Sequence, residues 1–96
     1  MADGAREKSF AIDWIDANQE RLSEFNMQIW EYAEPAWREY KSVQAYVDVL
    51  KADGWDVEEG SGEMPTAFVA RYGDPKTGPV LGAYAEYDAV PGNNQA

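Results

Sequence analysis

Cysteine and histidine are both absent from these 96 residues. Without cysteine there is no disulfide framework and no thiolate nucleophile. Without either residue the chain cannot assemble a typical zinc site from its own side chains. Basic residues are scarce: 8 Lys plus Arg stand against 18 Asp plus Glu, a formal net charge of −10. Such a surface repels nucleic acid and anionic lipid, so neither is expected as a partner. No apolar run approaches the roughly 18 residues needed to cross a membrane. The opening "MADGAREKSF" lacks the basic-then-apolar design of a secretory leader, so a cytoplasmic chain is expected.

Aromatic residues, in contrast, are plentiful: four Trp, six Tyr and three Phe within a hydrophobic fraction of 45%. That is globular composition. A chain of this length buries only about 60% of its unfolded surface, so its core alone is marginal. The acidic excess fits a self-repelling, soluble surface. A polyanion mimic or cation binder would need a block of about five or six like charges, and none occurs.

Hydrophobic spacing organises the chain. Ile15, Leu22, Phe25, Ile29 and Tyr32 step by seven, three, four and three, which predicts one long amphipathic helix from about Ser9 to Ala33. Ser9 is a candidate cap, and Pro35 forces a corner. Val43, Tyr46, Val47 and Leu50 predict a second helix from Ser42 to Asp53, with Ser42 as cap. Gly54 suits the left-handed position past its end, and Trp55 the hydrophobic position after it, against Leu50. The period then changes to two. "WDVE", "TAFVARY" (66–72) and "VLGAYAEY" (80–87) read as three strands, separated by the Gly-rich turn "EGSGEMP" and by "GDPKTGP". The third is almost continuously small or apolar, as strands buried on both faces are. Gly82, Ala83 and Ala85 would let a helix approach closely. Two helices followed by three strands of a mixed sheet imply a layered α/β arrangement.

Three places are candidates for chemistry. Glu86 and Asp88 are two apart, so in a strand both point to one side of its C-terminal end, where open α/β sheets bind ligands. Such a pair could bind a metal, or one carboxylate could orient a ligand or act as a base; equally, both could be ordinary strand-end residues before a turn. In "EPAWREY", Glu34, Arg38 and Glu39 could pair across a helix corner, at about 0–1 kcal/mol, and Trp37 suits packing better than ligand stacking. In "EEGSGEMP", Glu58, Glu59 and Glu63 argue against a phosphate cradle and for a plain turn.

"MPTAFVARYG" followed by "GPVLGAYAEYDAVPGNNQ" resembles the N-terminal part of the metal-dependent aminoacylase-type amidohydrolases and metallopeptidases, a group that includes hippurate hydrolase-like and p-aminobenzoyl-glutamate hydrolase-like enzymes. The upstream "IWEYAEPAWREYKSVQAYVDVLKADGWDVEEG" fits the same family's opening helices and first strand. The likeness runs from about Asn26 to Gln95. Its most specific piece is "EYDAVPG", where Val90 replaces the family's usual Leu.

The resemblance implies hydrolysis of an acyl–amino acid or dipeptide-like amide with one or two divalent ions, zinc or manganese, through a metal-activated water. It implies a homodimeric parent enzyme with a small-molecule substrate. It places Asp88 as the carboxylate that supports a metal-binding histidine. Glu86 falls where one branch of the family has a histidine ligand and another does not, so its role as a ligand is open. The family's remaining ligands have no counterpart here. The expectation is therefore an incomplete portion of a zinc-peptidase-like catalytic domain. Residues 1–96 would be its N-terminal segment, truncated before the metal ligands, binding no metal alone and inactive alone. The alternative is a small acidic interaction domain that uses the same scaffold without catalysis.

Overall fold

The computed structural model describes residues 4–92. The chain divides into two compact units, one ending at Glu31 and the other beginning at Tyr32. The first contains helix α1 (Ala5–Ala17) and nearly all of α2 (Gln19–Tyr32). The single long helix expected from about Ser9 is thus two, and it starts earlier. Ser9 lies inside α1, and Gly4 occupies the cap position. Asn18 makes the break. Its backbone leaves the helical region at φ −114° and ψ 14°. Its side-chain amide donates to the Trp14 carbonyl at 2.8 Å, alongside its own backbone N–H, which reaches the same carbonyl at 3.0 Å and that of Ile15 at 3.1 Å. Asparagine's short amide bonds nearby backbone carbonyls in this way, which is why it suits helix ends. The Asn18 carbonyl then accepts the Leu22 N–H at 2.9 Å, so α2 begins at once.

The second unit is built from α3 (Tyr40–Ala52) and an antiparallel hairpin of β1 (Asp56–Glu59) and β2 (Phe68–Arg71). The register pairs Asp56 with Arg71, Val57 with Ala70, Glu58 with Val69 and Glu59 with Phe68. Glu58 and Glu59 are therefore strand residues rather than turn residues. Glu58 lies 3.7 Å from Arg71 and Glu59 2.9 Å from Lys51, both as exposed ion pairs.

Helix α3 starts two residues before the expected Ser42, after Glu39 at the cap. It ends as its sequence predicts. Gly54 takes φ 92°, its N–H donates to the Lys51 carbonyl, and the Trp55 N–H donates to Leu50 at 3.0 Å. That pair of bonds is the Schellman stop, which needs a residue free to adopt positive φ. Trp55 then faces Tyr72, ring centroids 5.3 Å apart.

Helix α3 covers one face of the hairpin. Among the described residues Val47 alone is a fully buried apolar side chain, 1% exposed. Tyr46, Phe68 and Tyr87 form a ring cluster: Tyr46 lies 5.9 Å from Phe68 and 4.9 Å from Tyr87. Each such pair contributes about 0.5–1.5 kcal/mol beyond burial.

The third expected strand, 80–87, joins no ladder among the described residues, where the sheet has two strands. Val80, Leu81 and Tyr84 are 76%, 92% and 88% exposed. A Cβ added at Gly82 would meet nothing within 4 Å, so the close approach expected of this small-residue stretch is not made. The physical reason is that a strand's hydrogen bonds belong to its neighbour, and none of the described strands lies beside this segment.

Candidate functional site at the Glu86–Asp88 tip

Although 80–87 forms no ladder, its end keeps the alternation of a strand. Glu86 and Asp88 are exposed, and Tyr87 between them is half-buried. The Tyr87 ring packs against Tyr46 and Phe68, and its hydroxyl donates a hydrogen bond to the Thr66 carbonyl. Two residues further, the Ala89 N–H donates to the Glu34 carbonyl at 2.7 Å. Both carboxylates are thus exposed on either side of a residue that packs onto the α3–hairpin unit. Burial pushes the Tyr87 phenol above its ordinary value of 10.0, helped by the negative charge of Glu39 and by Tyr46.

The corner "EPAWREY" supplies the other half of this arrangement, in a role that its sequence does not show. The Glu34 carboxylate serves α3 rather than Arg38. Its Oε1 accepts both the Ser42 N–H and the Ser42 hydroxyl at 2.8 Å, and its Oε2 accepts the Lys41 N–H at 2.9 Å. These are N–H groups of the first turn of α3, which have no acceptor within the helix. Glu34 therefore caps α3 from outside, with its negative charge at the positive end of the helix. Ser42, expected as the cap, is instead completely buried beneath that carboxylate. Burial works to raise the Glu34 carboxyl. The backbone bonds from Lys41 and Ser42, the Ser42 hydroxyl and the Lys41 charge outweigh it and hold the group below its ordinary value of 4.5.

Glu39 likewise serves a hydroxyl rather than an arginine: its Oε1 accepts from Thr66 at 3.0 Å. Trp37, expected to pack, is 65% exposed at φ 71°. Ala33 also takes a positive φ, 46°. Two non-glycine residues in the left-handed region cost about 1–2 kcal/mol each, and they bend the chain sharply on both sides of Glu34 and Pro35.

The sequence signal for Glu34 was faint: a Glu before Pro, with a helix start a few residues on. Tyr87 carried no separate signal, since its role depends on Thr66, 21 residues away. The 93–95 end of the motif "EYDAVPGNNQ" lies outside the described residues.

There is no His or Cys in the chain, and among the described residues no group of three or more Asp and Glu could hold a metal ion. Nor does any helix among the described residues have the length and apolarity to cross a membrane.

No protein-family profile matches the chain, and no solved structure matches it. Two curated relatives do. One is a component of the p-aminobenzoyl-glutamate hydrolase of Escherichia coli (strain K12), 34% identical over 86 residues, 90% of this chain. The other is thermostable carboxypeptidase 1 from Saccharolobus solfataricus, 33% identical over 79 residues, 82% of this chain. The chain spans 18% of the length of each relative. Over most of its own length, then, this chain resembles the aminoacylase-type amidohydrolases and metallopeptidases, with an amidohydrolase component and a carboxypeptidase as its relatives.

Proposed function

We propose that this chain is the N-terminal segment of the catalytic domain of a cytoplasmic, homodimeric, metal-dependent amidohydrolase, and that alone it is inactive. The identity to an amidohydrolase component over 90% of the chain carries this reading. The name of that relative suggests the substrate class: an aromatic acyl group joined by an amide to an acidic amino acid. Asp88 acts by accepting a hydrogen bond from a metal-binding histidine that lies outside these 96 residues, which fixes the ring and raises its basicity. The ion, zinc or manganese, would supply an activated water at that site, and Asp88 would act on it only through the histidine. The exposed run Val80, Leu81 and Tyr84 is what this reading expects of a strand whose sheet neighbours are not among the described residues.

Two measurements test it. Calorimetric titration of the 96-residue chain with zinc or manganese is expected to show no stoichiometric micromolar binding, and acyl–amino acids are expected to stay intact. Stoichiometric binding or turnover would overturn the claim that the chain is inert alone. In a longer protein carrying this segment, Asp88→Asn is expected to weaken zinc affinity about 10–100-fold. Unchanged affinity would remove Asp88 from the metal site.

A further inference from the structure

We propose that Tyr87 and Glu34 are positioning residues that fix Asp88, and not Glu86, relative to the N-terminus of α3. The inference rests on the amidohydrolase reading for its purpose but on this chain's own contacts for its content. Asp88 is bracketed. On one side the Tyr87 hydroxyl is bound to the Thr66 carbonyl; on the other the Ala89 N–H is bound to the Glu34 carbonyl at 2.7 Å. Both acceptors are themselves held. Thr66 is buried, and its hydroxyl donates to Glu39, the residue at the cap of α3. Glu34 is held by three hydrogen bonds from Lys41 and Ser42 in the first turn of the same helix. The two anchors therefore converge on one rigid element. Glu86 lies before the first anchor, at the end of an exposed segment. A group that must orient a ligand needs support of this kind, because small misplacements cost most of its effect.

The test uses the 96-residue chain without metal or substrate. Nitrogen-15 relaxation and amide exchange are measured for the wild type, Tyr87→Phe and Glu34→Gln. Tyr87→Phe keeps the ring on Tyr46 and Phe68 and deletes only the hydroxyl. In the wild type Asp88 is expected to be rigid, with an order parameter near about 0.85, and Glu86 less so. Tyr87→Phe should bring Asp88 below about 0.6 and speed Ala89 exchange at least about fivefold, with α3 and β2 amides unchanged. Glu34→Gln keeps the backbone carbonyl and should speed Ala89 exchange by a smaller factor. An Asp88 as ordered in Tyr87→Phe as in the wild type overturns the proposal. So does a uniform rise in exchange across the unit, which would mean a purely structural role. Failure here removes the positioning claim alone, whereas unchanged zinc affinity in Asp88→Asn removes the functional reading beneath it.

Discussion

Residues 66–72 and 80–87 carry the same kind of sequence, short runs of small, β-branched and aromatic residues, yet they end differently. Phe68–Arg71 pairs with Asp56–Glu59 and lies under α3. The segment 80–87 has no ladder, and its apolar side chains stand in solvent up to Tyr87. The difference is one of neighbours. β2 finds β1 across a short turn, in which Gly60 and Ser61 both donate to the Ala67 carbonyl. The second run finds only a docking point for its last aromatic ring. Strand propensity describes fitness for a pleated, half-buried surface, and a surface requires partners.

This contrast orders the expected effects of substitution. Val47→Asp places an unpaired charge in the core beneath α3 and should cost about 3 kcal/mol or more, removing the cooperative unfolding of the second unit in a urea titration followed by circular dichroism. Tyr87→Ala removes the ring and the hydroxyl together and should cost about 1–2 kcal/mol, seen as a lower urea midpoint. Glu34→Ala uncaps α3 and should cost about 1 kcal/mol by the same measurement. Leu81→Asp, in the exposed segment, should change stability by less than about 0.5 kcal/mol. A larger loss at Leu81 would show that 80–87 is covered after all and would break the contrast.

The Glu34 cap also sets a pH dependence. Its carboxyl titrates below the ordinary value of 4.5 in the fold, so its contribution is complete above that value and is lost as pH falls through the lowered one. Glu34→Gln should flatten that acid limb of a stability–pH curve. Tyr87 works at the other end. Its phenol is raised above 10.0, so its contribution is complete below that pH and is lost as pH rises through the raised value. Tyr87→Phe should remove the alkaline limb.

What the sequence shows and hides follows the range of the forces involved. The α3 stop at Gly54 and Trp55 was legible because its bonds reach back only to Lys51 and Leu50. The hairpin was legible because its turn is rich in glycine. The break at Asn18 was present as a residue type but was masked by apolar spacing that runs unbroken through both helices. The Glu34 cap needs a backbone bend at Ala33 and Trp37, two positive φ values that neither residue advertises. The anchoring of Tyr87 joins residues 21 apart, and the absence of a ladder at 80–87 depends on a neighbour that no local pattern specifies. At the acidic tip, alternation predicted Glu86 and Asp88 on one side of a strand; in the structure both are exposed, and Tyr87 between them is held by its ring and hydroxyl rather than by sheet pairing.

Amide exchange along residues 68–92 of the wild-type chain tests this account most directly. Strong protection is expected where β2 donates to β1, none from 80 to 86, and protection again at Ala89, where the tip is tied to Glu34. Continuous protection through 80–86, or an unprotected Ala89, would contradict it.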